Sequence, residues 1–157
     1  MHQKDSTALR LVPFAAEASW ASGRWATLEK YLSMAPQDIG GDFDVNIGHA
    51  LLALRKQDNA SFTDTIQKLR EKIAGRLSQQ ATTSILEAHK DIRKFHVLTE
   101  LEMIANTNDD HGPSRKEVLE SLDRRLEVIG AYLNDKQYLL NIRRAAMQLT
   151  GYVNWYN

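Results

Sequence analysis

Apolar residues in this chain recur at intervals of three and four. Phe62, Ile66, Leu69 and Ile73 all fall on one face of a helix, and Phe43, Ile47, Ala50 and Leu54 do the same. An apolar stripe of that period must be buried against another helix, so the expected fold is all-α. Composition agrees with the spacing: there are only three prolines and eight glycines, and Ala, Leu, Arg, Glu and Gln are plentiful. At 157 residues the chain is long enough to bury a core without disulfides or metals, and it is read as one helical-repeat segment over 1–157.

Punctuation between the stripes predicts about seven helices in antiparallel hairpins. Pro13 suits a first helical turn, and Phe14, Ala18 and Ala21 are expected on the buried side of a helix ending near Ser22. A second helix carries Trp25, Leu28 and Leu32, and Pro36 and Gly40-Gly41 stop it. Asp42 caps a third that ends near Lys56. Asp58-Asn59 opens a fourth that Gly75 closes. The longest is expected from Gln80 to Asn106, with Ile85, Ala88, Ile92, Phe95 and Thr99 on its stripe. Asn106 to Ser114 reads as an exposed loop. Two closing helices carry Leu119, Leu122, Leu126, Ile129 and Leu133, then Leu139, Ile142, Ala146, Leu149 and Val153, and they pair across Asn134-Asp135.

Charge and residue type exclude several functions. Twenty basic residues balance twenty acidic ones, leaving no global field to draw the chain directly to nucleic acid or to a membrane surface. There are no cysteines, and no run of about 18 apolar residues could span a bilayer, so a reducing cytosolic or nuclear compartment is expected. The motifs of kinases, P-loop proteins, zinc proteases, serine hydrolases and EF-hands are all missing, so no catalytic residue and no cofactor site is assigned to this segment. His89 and His96 share a stripe but lie two helical turns apart, about 10 Å along the axis, with Glu100 one turn beyond His96, which favours a partly buried His96 capped by Glu100 over a metal site.

Trp20 and Trp25 are read as core, flanking a turn made by Gly23. Arg124-Arg125 and Arg143-Arg144 are read as a solvated, ion-paired face. Apolar groups at Leu9, Leu11, Val12 and Phe14, and at Tyr152 to Tyr156, suggest self-association through exposed ends.

The stretch Ala15 to Trp25 resembles the turn of a tetratricopeptide unit, in which a glycine ends one helix and an aromatic begins the next. Beyond it, four blocks in order resemble the FAT region of phosphatidylinositol-3-kinase-related kinases, and within these the ATR-type checkpoint kinases, including their fungal members. The blocks are Ala18 to Leu32; Phe43 to Gly48 with Leu51 to Lys56 and Phe62; Phe95 to Glu102; and Leu126-Glu127 followed by Ile142 to Ala146. The resemblance implies a TPR/HEAT-like α-solenoid piece of a nuclear DNA-damage-response kinase, contacting its own kinase domain, neighbouring repeats and an ATRIP-like subunit, with Arg143, Arg144 and Trp155 as candidate contact residues. ATP and magnesium would belong to kinase lobes that this chain lacks. A free-standing TPR-like adaptor that binds a peptide in its groove is the alternative.

Overall fold

Trp20 and the turn after it organise the first part of the chain. In the computed structural model, which describes residues 2–34, 41–79, 85–108, 112–129 and 133–151 with side chains from Arg10 onward except that of Asn108, all regular structure is helical. The helices are α1 (His2–Ala21), α2 (Trp25–Met34), α3 (Phe43–Arg55), α4 (Asn59–Gln79), α5 (Ile85–Ala105), α6 (Arg115–Val128) and α7 (Leu133–Leu149). The chain is therefore an all-α helical-repeat segment. It divides into two compact units, 1–69 and 70–157, with the division falling inside α4. None of the described helices is long and apolar enough to cross a membrane.

The first unit contains one hairpin written twice. α1 ends in a Schellman turn, in which Gly23 N–H donates to Trp20 C=O at 3.2 Å and Arg24 N–H to Ser19 C=O at 2.8 Å. Gly23 has φ 69°, a left-handed conformation that glycine adopts without a Cβ penalty. α3 ends the same way, through Gln57 N–H to Leu54 C=O at 3.1 Å and Asp58 N–H to Ala53 C=O at 2.9 Å. There the left-handed residue is Gln57, at φ 57°. Gly23 and Gln57 are 34 residues apart, the period of a tetratricopeptide repeat. The register extends through the core: Ala16 matches Ala50, Trp20 matches Leu54, Leu28 matches Phe62 and Leu32 matches Ile66, and all eight are buried. Asp58 closes one helix and opens the next, its carboxylate accepting from Ser61 N–H at 3.0 Å. Asp42 caps α3 by accepting from Asp44 N–H at 2.8 Å.

Several stripes differ from those expected. α1 begins well before Phe14 and runs through Pro13, and its buried side is Val12, Ala16, Ser19 and Trp20. Phe14 is 70% exposed, because the large indole of Trp20 fixes the inward face and places Phe14 on the other side. Gly75 lies inside α4, which continues to Gln79; only a left-handed φ would make it a terminator, and it does not have one. In α5, Ile85 and Ile92 face solvent while Asp91, Val97, Leu98, Glu100, Leu101 and Ile104 are buried. α6 turns Val118, Leu122 and Ile129 inward and leaves Leu119 and Leu126 half-buried.

Within the expected loop, Asn106–Asn108 form a 3-10 turn, and Ser114 is the N-cap of α6 in a capping box with Glu117. Asn134 and Asp135 lie in the first turn of α7, so they do not form the connection to α6. Leu139, Ile142 and Ala146 are buried as expected. Trp155, Val153 and the Tyr152–Tyr156 cluster lie outside the described residues, as do Pro36, Gly40 and Gln80.

Candidate functional site

The second unit is built around a helix that is polar on its inner side. α5 carries Glu100 and Asp91 into the interior, where a carboxylate is stable only with partners. Glu100 is 1% exposed. Arg143 of α7 grips it with two parallel bonds, Nε to Oε2 and Nη2 to Oε1, each 3.2 Å. The same guanidinium donates to Leu122 C=O of α6 at 2.9 Å and lies 3.6 Å from Asp123. One arginine therefore ties three helices together, and its flat fork suits that role better than a lysine could. Burial pushes the Glu100 carboxyl above its ordinary range, against the opposing pull of Arg143 and Arg125.

One turn earlier on α5, Arg125 Nη1 of α6 lies 3.2 Å from His96 Nδ1. Burial lowers the His96 pKa and the charge on Arg125 lowers it further, both favouring the neutral ring, and because a guanidinium only donates, Nδ1 is the acceptor. Nearer the start of α5, Asp135 of α7 accepts from Arg93 at 2.5 Å and from His89 at 3.1 Å, and Arg93 lies over the Tyr138 ring with its centroid 5.0 Å away. Burial alone would raise the Asp135 carboxyl; the hydrogen bonds from Arg93 and His89 overcome it and hold the pKa below the usual value.

On its α4 side, α5 meets Arg76, which donates to Asp91 at 2.6 Å, and Arg70, which pairs with Glu102 and reaches Thr99 at 3.5 Å. α6 and α7 are also joined at their far ends, where Arg115 donates to Gly151 C=O at 3.4 Å. These polar contacts join α5 to α6 and to α7 at several points along its length.

Several sequence expectations are redrawn by this geometry. Glu100 belongs to Arg143, so it does not cap His96. His89, His96 and Glu100 each turn to a different partner, and no group of three metal-ligating side chains occurs among the described residues. The arginine pair is split: Arg143 is buried at 7% exposure, because its fork completes Glu100, while Arg144 faces solvent. Trp20 is 1% exposed, Gly23 lies in the turn after α1, and Trp25 is half-buried at the start of α2. Glu100 and Leu122 C=O, the other two members of the lock, were not anticipated. The signal for Glu100 was present, since it shares an inner face with Val97 and Ile104 at spacings of three and four.

The fold and the polar lock define a class: a helical-repeat scaffold whose buried charges hold helices in place. Its family is identified by comparison. The family model for the FAT domain matches residues 12–154, and the chain belongs to the FAT domain family. It is similar to the proteins called serine/threonine-protein kinase ATR from rice, in both the indica and japonica subspecies. Each is 26% identical over 93 residues, covering 55% of this chain and 3% of the relative. The chain thus matches a small piece of much longer kinases.

Proposed function

We propose that this chain is a FAT-region segment of an ATR-type serine/threonine checkpoint kinase acting in the DNA damage response. In this reading it performs no phosphoryl transfer. It works as a rigid spacer that packs against its own kinase domain and helps hold an ATRIP-like subunit, and the protein that contains it is nuclear. ATP and magnesium are bound by the kinase lobes elsewhere in that protein, and the segment touches neither nucleic acid nor membrane directly.

The observation that carries the reading is the match over residues 12–154 together with the Glu100–Arg143–Leu122 lock. A buried, bidentate pair reaching a third helix makes a poor reaction centre, because its donors and acceptors already face one another, but it makes a sound mechanical joint. Exposed Arg144 offers a contact point for a neighbouring lobe.

The test is to recover the native protein with an antibody against this segment, measure its mass and assay it for magnesium- and ATP-dependent serine/threonine phosphorylation. A large nuclear polypeptide with that activity and a co-purifying subunit is expected. Recovery of a small free-standing protein without kinase activity would overturn the proposal.

A further inference from the structure

Among the described residues, arginine hydrogen bonds tie α6 to its neighbours at three places, and the three differ in how they respond to a proton. Two end on carbonyls, which do not titrate: Arg143 donates to Leu122 C=O at 2.9 Å and Arg115 to Gly151 C=O at 3.4 Å. The third runs from Arg125 Nη1 to His96 Nδ1 at 3.2 Å. A guanidinium only donates, so this bond lasts only while Nδ1 keeps its lone pair. A proton there removes the acceptor and leaves two cations at hydrogen-bond distance.

The three ties also differ in what they hold. Arg115 and the Leu122 carbonyl anchor the first half of α6, where Val118 and Leu122 are fully buried. Beyond Leu122 the inward apolar groups are Ile129 and half-buried Leu126, while Arg124, Glu127 and Val128 are exposed. The charged groups nearest His96 on the packed helices are engaged elsewhere. Glu100, one turn along α5, is gripped by Arg143 of α7, and Arg93, one turn back, is held by Asp135 of α7. On α4, Arg70 pairs with Glu102 and Arg76 with Asp91; on α6, Asp123 lies 3.6 Å from Arg143. His89 is the counter-example on the same helix. Its Nε2 lies 3.1 Å from the Asp135 carboxylate, a contact that a proton strengthens.

We propose that the His96–Arg125 contact is a proton-operated latch: a proton taken up at His96 Nδ1 frees the second half of α6 from α5, while the first half of α6 and all of α7 stay docked. Burial and then the charge on Arg125 disfavour the protonated ring in the closed form, so the open form takes up the proton more readily and gains population as pH falls below the ordinary histidine value. The latch is a property of this segment and stands whether or not a kinase contains it.

The test is residue-resolved amide hydrogen exchange of the full chain at about pH 7.5 and about pH 5.5, with each rate corrected for the intrinsic exchange of an unstructured amide at that pH. Protection at Leu126, Glu127 and Val128 is expected to fall on acidification at least about threefold further than at Leu122 of the same helix or Ile142 of α7. Two variants, one on each side of the contact, are each expected to abolish that difference. In His96→Gln the amide oxygen can still accept from Arg125 and takes no proton; in Arg125→Gln the amide can accept from the protonated ring. His89→Gln is expected to keep the response. Unchanged relative protection in the unaltered chain overturns the proposal, and so does a response that survives in either Gln variant at the contact. Equal loss in α6 and α7 places the proton on Glu100, whose release would loosen both helices, and overturns it as well. None of these outcomes touches kinase activity, so the scaffold reading stands or falls separately.

Discussion

Replacing Arg143 with methionine should destabilise the second unit far more than the loss of any surface charge. The guanidinium is almost fully buried, and its removal leaves the Glu100 carboxylate, at 1% exposure, without its two bonds, and Leu122 C=O without its extra donor. Breaking one partner of a buried pair costs about 3–5 kcal/mol, whereas an exposed pair such as Lys68–Asp64 contributes about 0.5 kcal/mol or less. Glu100→Leu combined with Arg143→Met removes both charges and is expected to recover most of the loss, leaving the double variant within about 1–2 kcal/mol of the parent. Burial raises the Glu100 pKa against the pull of Arg143, and Arg143→Met removes that pull, so the penalty should shrink as pH falls toward the carboxyl range, where the orphaned group is protonated, and grow as pH rises. Urea unfolding followed by far-ultraviolet circular dichroism, run as a double-mutant cycle at two pH values, measures all of this. A single-variant cost below about 1 kcal/mol, or a double variant no better than the sum of the singles, would refute the reasoning.

The two Schellman turns yield opposite substitutions: Gln57→Gly should raise stability by roughly 0.5–1 kcal/mol by relieving a left-handed glutamine, while Gly23→Ala should lower it by about 1 kcal/mol, both read from urea midpoints. Trp20→Ala should cost about 3–5 kcal/mol through its cavity, and a loss under about 1 kcal/mol would show that the first unit is not packed on this indole. Burial lowers the pKa of His49 and His96 below the ordinary 6.5. A base depressed on folding binds more protons when unfolded, so stability should decline as pH drops below the ordinary histidine value and level off below the folded one. His49→Gln with His96→Gln should flatten that decline in a thermal-unfolding series; an unchanged slope would place the proton uptake elsewhere.

The periodic helices and their turns were largely legible because local physics dictates them. Asp42 and Asp58 can satisfy free N–H groups at helix starts, and Gly23 can take a left-handed φ, whatever the rest of the chain does. Stripe choice was harder where two apolar faces compete. Phe14 and Ile92 were expected inside and lie outside, because the burial of Trp20 and of Val97 with Leu101 fixes each helix's rotation. Gly75 misled because a glycine inside a helix and one just beyond it look alike until φ is known. Arg143 read as surface because its partner lies 43 residues away on another helix, a pairing that spacing within one helix cannot reveal. The repeat itself was half visible: the Gly23 turn stood out, whereas its partner at Gln57 lacks the expected glycine.

If this segment supports a kinase mechanically, as proposed, the serine/threonine phosphorylation rate of the native protein that contains it depends on the joint between α5 and α7. That rate would be compared for the unaltered protein, for Arg143→Met, and for Arg143→Met with Glu100→Leu. Loss of activity with the single change and substantial recovery with the double are expected, following the stability of the α5–α7 joint. Full activity in the single variant, with the joint demonstrably unfolded, would contradict it.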